Sequence, residues 1–273
     1  MSLPECFVYL TNPSFIPSIV VGILYGAGAI ALYDRTVRHK FFLPYFYFGN
    51  AGILFAISNV FKIVWDREGQ SMENDFPLHA ALVLTTLGSA FVFLGLFRLI
   101  QVWHQVGHGR GTQRANPKLA PLIVAVVTIL GLAANIILIQ EDKQEQEDTQ
   151  LTHHALSITA AFSAICIVLT ILYLGLLLYC AHTQKRMRQG RLVLSLAALG
   201  VLMLIRWSYT TYLGVSAVAL YDQRHDDLAV NEDLSLPLYI GFIAAPEILF
   251  LVVAILCNLV EVKNGAEIIL PLE

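Results

Sequence analysis

Apolar residues in this chain fall into seven long blocks separated by short polar ones. The blocks cover approximately 15–33, 41–64, 78–103, 119–139, 155–181, 192–216 and 236–260. Each has the roughly 20 apolar residues that a helix needs to cross a bilayer. The pattern predicts an all-α membrane protein, with residues 1–273 forming a single seven-helix transmembrane domain. The longest connection, 217–235, has 19 residues, which leaves no room for a soluble domain. The polar blocks alternate in sign. The first, third and fifth carry Arg35, Arg38, Lys40, then Arg110, Arg114, Lys118, then Lys185, Arg186, Arg188, Arg191, against one acid, Asp34. The second, fourth and sixth are acidic, each with a single cation: Arg67, Lys143 and Arg224. Basic loops stay cytoplasmic, so the N-terminus is expected outside or in the lumen and the C-terminus in the cytoplasm.

Composition agrees: 57% of residues are hydrophobic and 14% charged, outside the range of soluble domains. The formal charge of −3 adds little, because the distribution carries the information. Cys6, Cys166, Cys180 and Cys257 lack metal-ligand spacing, and three lie in or beside apolar blocks, so no disulfide framework is implied; Cys6 would need a partner chain. No basic n-region opens the chain, so no cleaved signal peptide is expected. Asn12-Pro13-Ser14 is blocked as a glycosylation acceptor by its proline. Insertion through the secretory pathway makes the endoplasmic reticulum the default location. Membrane lipids and a lipophilic small molecule are the expected partners, and no nucleic acid is.

The polar residues inside the blocks carry the candidate chemistry. Glu247, in Ile243-Ala244-Ala245-Pro246-Glu247, is the only carboxylate expected deep in a hydrophobic segment. An intramembrane charge is expensive and marks a functional site by default. It either stays protonated, since desolvation disfavours the charged form, or meets a cation. Arg206 is the obvious partner: the two sit about ten and eleven residues from the same ends of consecutive helices. Pro246 removes a backbone donor and frees the carbonyl of Phe242, which fits the wall of an internal cavity. Tyr209 and Thr210 follow Arg206 on its own face, with Trp207 and Tyr212 nearby. Asn50 and Asn59 are nine positions apart and face opposite sides of their helix, so only one should see a given cavity. Asn135, Thr85, Thr86 and Ser89 add polar groups in the lumenal half. Gly22 and Gly26, with Gly28 beyond, suit close helix packing. Phe41 to Phe48 resembles an interfacial aromatic belt, and Arg98 is placed to snorkel beside Gln101. His153-His154 precede the fifth block, but ligation from one helix face wants a spacing of three or four, so no metal is expected. There is no Walker loop, nucleotide fingerprint or Ser/His/Asp arrangement, and no cofactor is implied.

Two classes of function fit. In an enzyme, a carboxylic acid kept neutral by an apolar site donates a proton to an epoxide or alkene of a prenyl chain. Aromatic faces then stabilise the carbocation, and a dry cavity protects it. Arg206 would orient Glu247 or anchor the substrate. In a lipid transporter or sensor, the Arg206–Glu247 pair would be a gate. A closed aromatic pocket touching Glu247 favours the first; a continuous path through the membrane favours the second.

Leu204-Ile205-Arg206-Trp207-Ser208-Tyr209, Ala245-Pro246-Glu247 and Leu94-Gly95-Leu96-Phe97-Arg98 occur in an order that resembles a fungal seven-helix membrane group. Within it, the chain looks like the membrane-bound terpene cyclases of the ascofuranone and ascochlorin pathways. That resemblance implies proton-initiated cyclisation of an epoxidised farnesyl-type chain on a meroterpenoid in secondary metabolism, without metal or organic cofactor. Glu247 and Arg206 would then be catalytic; Tyr209, Trp207, Tyr212, Asn59, Asn135 and Asn50 would line the substrate. Pyripyropene-type cyclases differ in using two acids, whereas Glu68 or Glu141 could join Glu247 only from a helix end. The fungal lipid-translocating family with an Arg-x-x-Tyr/Phe element is the alternative. Animal-type rhodopsins share the layout, but Lys263 lies beyond the membrane and cannot hold retinal.

Overall fold

The computed structural model describes residues 15–39, 42–67, 76–107, 119–143, 149–183, 190–223 and 240–257, and among them there is no strand. Six α-helices follow in order: α1 Phe15–Arg38, α2 Leu43–Arg67, α3 Phe76–Gly107, α4 Leu119–Lys143, α5 Thr149–Thr183 and α6 Gly190–Gln223. A π-helical turn, Ile240–Ala244, then leads into α7, Ala245–Leu256. Each predicted block therefore holds one helix, and most run past their apolar stretch into polar flanks. Most of the loop charges, with Cys6 and Lys263, lie outside the described residues.

Among the described residues, five helices are long and apolar enough to cross a membrane: Ile16–Arg38, Leu43–Val64, His79–Trp103, Ser157–His182 and Leu192–Ser216. In α4 and α7 the apolar stretches are shorter, Val124–Ala133 and Ile240–Leu256. The outer surface is apolar in the manner of a bilayer protein. On α1, Ile16, Ile23, Ile30 and Val37 are all exposed, spaced two helical turns apart. A water-soluble monomer rarely carries so continuous an apolar surface.

Proline marks many of the helix starts. Pro17, Pro44, Pro77 and Pro121 all lie in first turns, where a missing N–H costs nothing because it would have no intrahelical partner. Consecutive helices pack against each other, and α7 closes the bundle against α6 and α1. Many hydroxyls inside the bundle are satisfied within their own helices. Thr36, Thr85, Thr86, Ser89, Thr128, Ser163, Thr170 and Thr210 each donate to the carbonyl four residues earlier. This is the usual way such groups are accommodated away from water. Tyrosines tie helices together. The Tyr173 hydroxyl donates to Leu196 O at 3.0 Å, and that of Tyr45 to Cys257 O at 3.2 Å, where α7 ends.

Glycine sets the close approaches, but not at every expected position. A Cβ on Gly22 would lie 3.5 Å from the Asn59 Cβ, and one on Gly28 would lie 3.1 Å from Leu251. Gly26 departs from the expectation, since a Cβ there meets nothing within 4 Å. Tighter contacts occur elsewhere, two of them at glycines under aromatic rings. Phe55 lies on Gly88 and Phe48 on Gly95, where an added Cβ would be 2.6 and 2.2 Å from a ring carbon. Phe48 is fully buried and packs edge-to-face on Phe250 with centroids 5.0 Å apart, so it has no room to retreat. Gly95→Ala is expected to destabilise the fold by about 1–3 kcal/mol through overpacking. Gly26→Ala should instead stabilise it by roughly 0.5–1 kcal/mol through helix propensity. Apparent thermal midpoints of the detergent-solubilised variants test both, and the reverse order would contradict this packing.

Candidate functional site

Glu247 lies in the first turn of α7, after the π-helical turn. Pro246 sits at the junction: it has no N–H for an α-helical bond to Phe242 O, and the wider π turn absorbs the break. Single π turns of this kind recur at functional sites. The first turn of a helix also favours an anion. Glu247 is 5% exposed and Arg206 3%. Arg206 Nε meets Glu247 Oε1 as an ion pair, and not as an aligned hydrogen bond. The expected pair between α6 and α7 is therefore formed.

The third member was not foreseen. Tyr25, on α1 and 1% exposed, donates its hydroxyl to Glu247 Oε2. Both carboxylate oxygens thus face a donor, one from α1 and one from α6. Nothing in the local pattern singled out Tyr25 among the aromatics. The only signal was its place between Gly22 and Gly26 on a helix otherwise nearly free of polar groups.

Aromatic rings enclose the triad. The Arg206 guanidinium carbon lies 4.0 Å from the Trp207 ring centroid and 5.8 Å from that of Phe55. Both distances fall within cation–π range. Phe55 in turn lies 5.5 Å from Tyr25. Trp207 is buried, stacked on Phe93 at 6.1 Å and edge-on to Phe162 at 5.8 Å. Its Nε1 is buried and has no hydrogen-bond partner among the described residues, as is also true of Asn59 Oδ1.

The remaining expected site residues separate into two groups. Asn59 and Asn135 are buried. Asn59 Nδ2 donates to Phe55 O at 2.9 Å, and Asn135 Nδ2 to Thr86 Oγ1 at 3.1 Å. Asn50 lies across α2 from Asn59, as the spacing required; it accepts from Tyr33 at 2.6 Å and donates to Phe46 O. Its polar partners are therefore elsewhere than the triad. Tyr209 and Tyr212 also turn outward. Tyr212 is 66% exposed, and Tyr209 stacks on Phe242 at 5.0 Å and on Tyr212 at 6.5 Å. Sharing a face with Arg206 placed Tyr209 within reach of the pair, but the seam between α6 and the π turn holds its ring instead. Arg98, half-buried, donates to Gln101 at 2.5 Å. The side chains of His153 and His154 lie outside the described set. Among the described residues no group of His, Cys, Asp and Glu could hold a metal ion. Lys62, which the sequence pattern does not single out, is also buried.

A cavity of about 10 Å³ lies between α3, α4 and α5, lined by Thr86, Ser89, Phe93, Thr128, Phe162 and Cys166 among others. It touches neither Glu247 nor Arg206, and it is far too small for a farnesyl chain. It is therefore neither the closed pocket expected for an enzyme nor a path through the membrane.

Tyr25→Phe removes a donor from a buried carboxyl and should cost about 1.5–3 kcal/mol, the range for hydrogen bonds to charged groups. Tyr33→Phe, which breaks the half-buried bond to Asn50, should cost about 0.5–1.5 kcal/mol. Parallel unfolding of the two variants in one detergent measures the difference; equal losses would remove Tyr25 from the centre. No known protein family, curated protein or solved structure matches the chain.

Proposed function

We propose that the chain is a seven-span membrane enzyme that cyclises an epoxidised farnesyl-type chain of a meroterpenoid, with Tyr25, Arg206 and Glu247 as its centre. The seven spans, a lumenal N-terminus and an endoplasmic reticulum location rest on the block pattern and the loop charges. The observation that carries the activity is one buried carboxyl group, oriented by a phenol and a guanidinium and walled by Phe55 and Trp207.

The reaction needs a proton delivered in a dry place. In this proposal the substrate's epoxide oxygen takes the position of Arg206 at Glu247 Oε1. Glu247, entering the cycle as the acid, gives its proton to that oxygen. The epoxide C–O bond breaks, its electron pair stays on oxygen as a hydroxyl, and a tertiary carbocation forms. A chain alkene attacks the cation and closes a ring. Loss of a proton to the Glu247 carboxylate restores the acid, so the product is an isomer of the substrate. Tyr25 keeps Oε2 fixed throughout. Arg206 keeps its seat over Trp207, and the Trp207 and Phe55 faces stabilise the positive charge.

A second reading, a lipid-translocating or lipid-sensing protein, is favoured by one observation. The Arg206–Glu247 contact lies right after the junction of π turn and α-helix at Pro246. A small change in that turn would open or close the pair, as a gate requires.

Microsomes bearing the wild type, Glu247→Gln or Phe46→Leu are given a farnesylated phenol epoxide, and products are read by mass and retention time. The proposal expects an isomeric product of unchanged mass, lost by at least about a hundredfold in Glu247→Gln, as for removal of a general acid. Phe46, exposed on the outer surface, should tolerate leucine. Equal product from wild type and Glu247→Gln would overturn the acid assignment. No product from wild type, together with lipid export that depends on Glu247, would favour the second reading.

A further inference from the structure

The cavity between α3, α4 and α5 has a chemical bias that its size conceals. Three hydroxyl side chains line it: Thr86, Ser89 and Thr128. Each has already given its hydrogen away, to Leu82 O at 3.0 Å, Thr85 O at 2.8 Å and Val124 O at 2.7 Å respectively. A hydroxyl has one hydrogen and two acceptor lone pairs. What these three can still offer is therefore acceptance alone. Thr86 demonstrates that role, since its oxygen already accepts from Asn135 Nδ2. The rest of the lining is apolar apart from the Cys166 thiol: Ala90, Phe93, Val124, Phe162 and Leu169. An anion or a carbonyl finds no strong donor there, whereas a single O–H finds several acceptors within an apolar wall. The volume, about 10 Å³, corresponds to about one water-sized group.

The position matters as much as the polarity. Phe93 and Phe162 line the cavity and also pack against Trp207. The same Trp207 ring carries the guanidinium of Arg206. The cavity and the triad are thus two polar sites connected through one shared aromatic side chain.

We infer that this cavity is the receptor for the hydroxyl group of a lipophilic ligand, with Thr86, Ser89 and Thr128 accepting its hydrogen bond. The inference rests on the proposed function in taking that ligand to be the substrate. It adds that the substrate binds hydroxyl end first, in a site linked through Trp207 to the carboxyl that acts on its chain. The ligand class is an alcohol or phenol with an apolar tail, and a blocked hydroxyl should be rejected. Bound water shares the same chemistry and is the competing occupant.

The test needs no turnover. Full-length protein in detergent is titrated with a para-alkylphenol and with its methyl ether, and the apparent thermal midpoint is followed. A ligand that binds only the folded state raises that midpoint with concentration. The expected result is saturable stabilisation by the phenol, with at least about fivefold weaker binding of the ether, the loss of one hydrogen bond. Ser89→Ala/Thr128→Val should weaken the phenol to the level of the ether. Thr36→Val, a buried hydroxyl on α1 that bonds only to its own helix among the described residues, should leave it unchanged. Should the double variant not fold, Ser89→Ala alone makes the same comparison. Equal binding of phenol and ether, indifference of the cavity variants, or no binding of either would overturn the inference and leave the cavity a water site. Phenol binding by a protein that makes no cyclised product would instead sustain the inference and count against the cyclase reading.

Discussion

A carboxyl group removed from water must find partners, and the way Glu247 finds them organises this bundle. α7 is short, and it begins after a π turn at a proline. It closes the ring by packing on α6 and α1. These are the two helices that supply Arg206 and Tyr25 to the carboxyl. The interaction is a constraint more than a source of stability. Placing an ion pair in an apolar interior gains little over well-packed hydrophobic residues, yet leaving one partner alone costs several kcal/mol. Registers of α1, α6 and α7 that separate the three groups are therefore excluded, and this fixes the depth at which the helices meet.

Much of the architecture was legible in the sequence because membrane physics writes it in long strokes. An apolar block must be helical to satisfy its backbone, and each of the seven blocks holds a helix among the described residues. The depth argument also placed Arg206 opposite Glu247, because helix rise converts residue count into height. Contacts that depend on helix rotation and on distant neighbours were not legible. Tyr25 is 222 positions from Glu247, and no local pattern connects them. Tyr209 shares a face with Arg206, but a helix face is wide, and Phe242 takes its ring outward. Gly26 fits a packing motif and meets nothing within 4 Å, while Gly88 and Gly95, outside that packing motif, carry close ring contacts. Asn59 and Asn50 show the opposite case: their spacing placed them on opposite sides of one helix, and Asn59 is buried while Asn50 is partly exposed.

The triad and its aromatic walls also explain how the bundle tolerates so polar a centre. The guanidinium is spread over two rings, the carboxyl meets a donor group at both oxygens, and the Thr210 hydroxyl is bound to its own helix. Among the described residues, two of the buried polar atoms left without a hydrogen-bond partner lie beside the triad: the indole N–H of Trp207 and the amide oxygen of Asn59. Both lie on residues adjoining the enclosed charges, in sequence or through Phe55, and this is the region where a ligand's polar atoms would find complements.

The coupling between Arg206 and Glu247 tests the central claim most directly. It is measured as a double-mutant cycle of unfolding free energy, using Arg206→Met, Glu247→Leu and the two together in one detergent. If the pair acts as one buried unit, each single change should cost about 3–5 kcal/mol, since it strands a charge. The double change should then cost far less than their sum. Additivity within about 0.5 kcal/mol, the behaviour of independent sites, would contradict the account: the two residues would then be neighbours without being partners.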